Sequence, residues 1–241
     1  GDPKSINSEI IFKTWKKLDI TTRKNIYLIG NFEVITKQLK VLNYKIKTIK
    51  LEKINDKIEQ NRLNIIDVPL NYIKPFTIEE KSSSEYVIKC LNLAHELAIK
   101  NKVKGIINCP LDKKLLKKTK KNGVTEFLAT KCKIFDNSEI MLIYNKNFSV
   151  APLTTHIRIK DVAKKINKKL ILNKINSLNK NFKKLFNKKP KIGILGLNPH
   201  NNELDINSEE MRVIKPAILQ LKKKGINISG PLISDTLFIK N

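Results

Sequence analysis

Two histidines in this chain stand where a fold can put chemistry. His200 follows "KIGILGL" (191–197), a run of small and branched apolar residues that reads as a buried strand, and Asn198-Pro199 breaks that strand just before it. His156 closes "FSVAPLTTH" (148–156), a second apolar run, after which "IRIKDVAKKI" (157–166) turns helical. Strand C-terminal ends are where open α/β sheets place their ligands. Neutral imidazoles at two such ends can share one divalent ion. Spacing alone leaves the alternative open, because a hydrogen-bonded structural histidine accounts for either residue equally well. His95 borders the apolar stripe of a helix and reads as a surface or half-buried side chain without chemistry.

The elements that must carry these residues alternate along the chain. Strand patterns fall at 25–30, 44–51, 63–68, 103–108, 139–144, 148–155 and 191–197, and the chain stops just after a further strand and loop. Between them, Tyr86, Val87, Cys90, Leu91, Ala94, Leu97 and Ala98 make one helical stripe. Ile171, Ile175, Leu178, Phe182, Leu185 and Phe186 make another. A third helix spans about 208–224, starting at Ser208 with Glu209 and Glu210 in its first turn and ending in three lysines and Gly225. Those charges complement the helix dipole, and Pro216 must kink or divide the helix. This is α/β organisation, helices covering a mostly parallel or mixed sheet.

With 241 residues, 41% of them hydrophobic, the chain can bury a core of one large or two modest domains. No apolar run approaches the roughly 20 residues needed to cross a bilayer, and the start has no signal-peptide pattern, so a cytoplasmic protein is expected. Cys90, Cys109 and Cys132 have no metal-knuckle spacing and read as ordinary thiols. The net charge of +26 raises a basic nucleic-acid-binding protein as a reading of a different class. Against it, the cations are almost all Lys, scattered along every segment, with only Arg23, Arg62, Arg158 and Arg212 as exceptions. Lys, Asn and Ile all come from A/T-rich codons, which explains the charge without a polyanion partner. No nucleic acid and no membrane are therefore expected as partners.

Seven stretches together resemble, in order, the motif string of the 4-hydroxythreonine-4-phosphate dehydrogenase family. They are the opening "GDP", "NCPLDK" (108–113), "NGVTEFLA" (122–129), "LTTHIRIKDV" (153–162), "GLNPHNNE" (196–203), "EEMRVIKPAI" (209–218) and "GINISGPLISDTLF" (225–238). The resemblance implies a two-lobed α/β/α fold like that of isocitrate and isopropylmalate dehydrogenases, with lobes at 1–121 and 122–241. It implies a homodimer that shares its active site across the interface, and a divalent metal, zinc, magnesium or cobalt. His156 and His200 map onto two metal-ligand histidines of the second lobe. The family's third histidine belongs to a segment beyond Phe238, so the chain is expected to be incomplete at its C-terminus and, taken alone, inactive as a dehydrogenase. The implied activity is NAD- or NADP-linked oxidation of 4-hydroxythreonine 4-phosphate and then decarboxylation, in pyridoxal 5'-phosphate biosynthesis. Within the family, 4-phosphothreonate and 4-phosphoerythronate are the alternative substrates. Asp235 and Lys113 map onto catalytic positions, and Thr125 onto a substrate contact. Val124 stands where the family has a substrate-binding histidine, and it can neither titrate nor donate a hydrogen bond. Glu203 is retained in the loop after His200. The sequence lacks the GxGxxG fingerprint, so the cofactor-binding residues are not identified.

Overall fold

The computed structural model describes residues 1–54, 59–120, 123–201 and 205–237. The chain divides into two compact units, Gly1–Lys131 and Cys132–Asn241. Each is a small parallel sheet with helices packed on it, so the α/β organisation is present in both.

The first unit runs α1 (Asn7–Lys17), α2 (Ile20–Arg23), β1 (Leu28–Gly30), α3 (Phe32–Val41), β2 (Thr48–Leu51), β3 (Leu63–Asp67), α4 (Glu80–Ile99), a 3-10 segment (Lys113–Thr119) and α5 (Val124–Lys131). Its strands pair in parallel in the order β1-β3-β2. β3 is central, and its Leu63, Asn64, Ile65 and Ile66 are all buried, the pattern of a parallel strand covered on both faces. Leu63 and Ile65 pack with Phe12 and Trp15 of α1 and with Ile35 and Leu39 of α3. Val68, just past β3, joins Tyr86, Val87 and Leu91 of α4 in a second cluster with Leu115, Leu116 and Phe127. The α4 stripe expected from periodicity is thus the buried face.

The second unit has a short 3-10 turn (Ile159–Asp161), α6 (Val162–Lys165), α7 (Lys168–Phe186), β4 (Ile192–Leu195), a π-helical turn (Glu210–Ile214), α8 (Lys215–Lys223) and β5 (Ile228–Leu232). β4 and β5 pair in parallel, so the helix between them makes a β-α-β unit. Ile171 and Ile175 of α7 close the core with Ile192, Ile194, Ile214, Ile218 and Leu221. Leu185 departs from the expected α7 stripe and is 72% exposed. Phe186 instead stacks on Tyr144, with ring centroids 4.9 Å apart.

Three expected strands are not formed. The 103–108 segment has no strand, and its Ile107 is 92% exposed. The 139–144 and 148–155 segments meet only at one antiparallel bridge, where Ile143 and Val150 exchange amide hydrogen bonds of 2.8 and 2.9 Å. The next hydrogen-bonded pair outward would join Met141 to Pro152, and proline has no amide to donate. His156 is therefore not delivered by a strand.

Gly230 in β5 has φ 129°, and a Cβ there would run into the carbonyl oxygen of Ile194 in β4. Gly230→Ala is expected to destabilise the second unit by about 1–3 kcal/mol, read as a lower thermal unfolding midpoint. An unchanged midpoint would mean that the two backbones do not approach this closely.

Candidate functional site

The end of β4 is the best-built polar feature of the second unit. The Gly196 amide donates to Leu232 O at 2.9 Å, prolonging the β4–β5 pairing by one residue. The chain then turns at 198–201, where the Asn201 amide donates to Asn198 O at 3.0 Å. Pro199 occupies the second position of this turn, which its fixed φ suits, and His200 the third. Asn201 follows with φ 60° and ties the turn to β5 by donating from Nδ2 to Pro231 O at 3.0 Å. A Cβ at Gly196 would collide with Asn201 Oδ1, so the turn packs directly on the strand end.

Glu210 holds this turn from below. Its Oε1 accepts the amides of Leu197 and Asn198 at 2.7 and 2.8 Å, and Asn198 Nδ2 lies 3.2 and 3.1 Å from Oε1 and Oε2. The side chain is 1% exposed. A buried carboxylate persists only where donors replace its water, and here they are amides. Burial alone would push its carboxyl up, but the Asn198 amide, its own backbone amide, the Asn198 side chain and the Leu197 amide together outweigh it and hold the group below its ordinary value. By sequence pattern Glu210 is a first-turn acid that complements the helix dipole. The available signal was its position on the buried stripe of Ile214, Ala217, Ile218 and Leu221.

His200 projects from the turn with its side chain 81% exposed, and its Nδ1 lies 3.5 Å from Asp235 Oδ2. Ser234 Oγ reaches Pro199 O at 3.5 Å, so the segment after β5 lies against the same turn. His200 and Asp235 are thus brought together although far apart in sequence. His156 lies in the same unit, exposed, with a left-handed φ of 56° that non-glycine residues seldom adopt. Just before it, Leu153 packs on the second unit's core and anchors the approach. Among the described residues no three His, Cys, Asp or Glu side chains converge as a metal site. Glu203 lies outside the described residues.

The remaining candidates lie in the first unit. Val124 opens α5 and is packed, half-buried, against the apolar cluster of α4. That environment suits valine. Thr125 is exposed on the same helix. Lys113 is exposed at the start of the 3-10 segment, which Asp112 caps by accepting the Lys114 amide at 2.8 Å. No helix of the described residues is long and apolar enough to cross a membrane.

Comparison with known proteins adds an independent line. The family model described as "Pyridoxal phosphate biosynthetic protein PdxA" matches residues 22–241. A 4-hydroxythreonine-4-phosphate dehydrogenase of Aquifex aeolicus is 33% identical over 99% of this chain and 74% of its own length. An Oceanobacillus iheyensis protein, provisionally named a D-threonate 4-phosphate dehydrogenase, is 30% identical over 100% of this chain and 74% of its own. The crystal structure of a Klebsiella pneumoniae 4-hydroxythreonine-4-phosphate dehydrogenase superposes with TM-score 0.86 at 25% identity, covering 99% of this chain and 75% of that one.

The lowered pKa of Glu210 fixes the sign of its pH dependence. Its stabilisation is complete above the ordinary value of 4.5 and is lost as pH falls through the depressed folded-state value. In urea unfolding, Glu210→Gln is expected to be less stable than wild type by about 2 kcal/mol near neutral pH. That gap should shrink as pH falls below the ordinary 4.5 and through the depressed folded-state value, where the wild-type carboxyl also becomes neutral. A gap independent of pH would contradict the assignment.

Proposed function

This chain belongs to the pyridoxal phosphate biosynthetic protein PdxA family, and from that membership we propose that it oxidises 4-hydroxythreonine 4-phosphate in pyridoxal 5'-phosphate biosynthesis. The observation that carries the reading is the paired His200 and Asp235 on a built turn, in a chain whose relatives bear this activity in their names. The reaction removes a hydride from the substrate's carbinol carbon to the nicotinamide of NAD or NADP, while the hydroxyl proton leaves to a base. The resulting β-keto acid then loses carbon dioxide.

Roles for the residues follow from their chemistry. Asp235, beside His200 Nδ1, orients the imidazole and is the proposed proton acceptor. Lys113 supplies a mobile positive charge toward an anionic substrate, and the Thr125 hydroxyl a hydrogen-bond donor. His156 and His200 are the proposed ligands of a divalent metal. We further propose a cytoplasmic homodimer with the isocitrate-dehydrogenase-like fold.

Val124 supports a second reading. A half-buried valine where the family pattern has histidine removes one polar contact to substrate, which favours a shift toward D-threonate 4-phosphate.

The test is a nicotinamide-reduction assay with both phosphate esters. The full-length protein should turn over 4-hydroxythreonine 4-phosphate. His200→Ala should lower kcat/KM by about 100-fold or more, and Thr125→Val should mainly raise KM. No reduction of NAD or NADP with either ester, or a fully active His200→Ala, would overturn the proposal.

A further inference from the structure

The geometry points to Glu210 as a positioning residue: its buried carboxylate, bound to Leu197 and Asn198, holds the 198–201 turn that presents His200 beside Asp235. The inference rests on the reading of His200 as part of the site, and adds to it a residue that touches neither substrate nor cofactor.

Four contacts converge on one side chain. Both backbone amides fall on Oε1, and Asn198 Nδ2 also reaches Oε2, at 3.1 Å. Pro199 follows directly, so fixing the Asn198 peptide fixes the entry to the turn, and the Asn201 amide closes it. The glutamate is itself clamped. It begins the π-helical turn, its carbonyl accepts the Lys215 amide five residues on, and Ser208 anchors the turn's start through the Arg212 amide at 2.9 Å. A flexible turn would leave an 81% exposed imidazole free to wander, and misplacement by about 1 Å can cost about 100-fold in rate.

The arrangement makes a reciprocal test possible. Glu210→Gln can keep Oε1 on the two backbone amides, but it sets an NH2 group against the NH2 of Asn198. Asn198→Asp alone sets two carboxylates face to face. Combining the two restores one donor opposite one acceptor, and one negative charge. Hydrogen exchange of the 196–201 peptide and kcat/KM are measured for each variant, with His200→Ala alongside. All measurements are made at a temperature where circular dichroism shows every chain folded.

Each single substitution should raise exchange and lower kcat/KM by about tenfold or more, and the double variant should recover most of both. Normal exchange in Glu210→Gln overturns the hold on the turn. Faster exchange with unchanged kcat/KM, while His200→Ala is inactive, overturns the positioning role and leaves the functional reading intact. A fully active His200→Ala removes that reading and the role built on it, whatever the exchange shows.

Discussion

A carboxylate taken out of water must be given donors, and the carboxylate of Glu210 takes them from the end of a strand. Leu197 and Asn198 are the first residues after β4 whose amides have left the sheet pairing; unpaired, each would carry a desolvation cost of about 1–3 kcal/mol. One buried acid and two orphaned amides therefore satisfy each other. The position of His200 follows from that exchange, because only Pro199 separates it from the fixed peptide.

The β-α-β unit exists to bring these groups within reach. β4 and β5 run parallel, and the helical segment between them lays Ile214, Ala217, Ile218 and Leu221 on the sheet. Glu210 occupies the same stripe at its N-terminal end, where the helix faces the strand's exit. In an α-helix the Pro216 nitrogen would face the carbonyl of Arg212, and it has no hydrogen to give. The backbone enters α8 through a π-helical turn, whose five-residue hydrogen-bond step ends at Lys215 and sets Pro216 near the start of the α-helix, where no amide is needed. At the other end of the unit, Gly230 lets β5 approach Ile194 closely, which keeps Ser234 and Asp235 beside the turn.

What was legible in the sequence divides by the range of the interaction involved. The α4 stripe and the β3 and β4 runs could be read because periodicity reports burial locally. The division of the third helix near Pro216 was legible because a proline's missing amide acts just as locally. Leu185 was misread because a stripe shows which face can be apolar, not how far the core extends along it. The 148–155 segment had a strand's composition, but a strand needs a partner with matching amides, and Pro152 ends the pairing after one bridge. The His200–Asp235 pair could be anticipated only as two members of one motif string, since nothing local joins residues so far apart. Glu210 was the hardest. Its acidity suited a helix start, and only its place on the apolar stripe showed that it turned inward.

The most direct test of this account is a carbon-detected NMR titration of the Glu210 carboxyl, followed together with the amide shifts of Leu197 and Asn198. The account predicts a midpoint below the ordinary 4.5, with both amides moving at that same midpoint as their acceptor loses its charge. A midpoint at or above 4.5, or amides that ignore the titration, would contradict it.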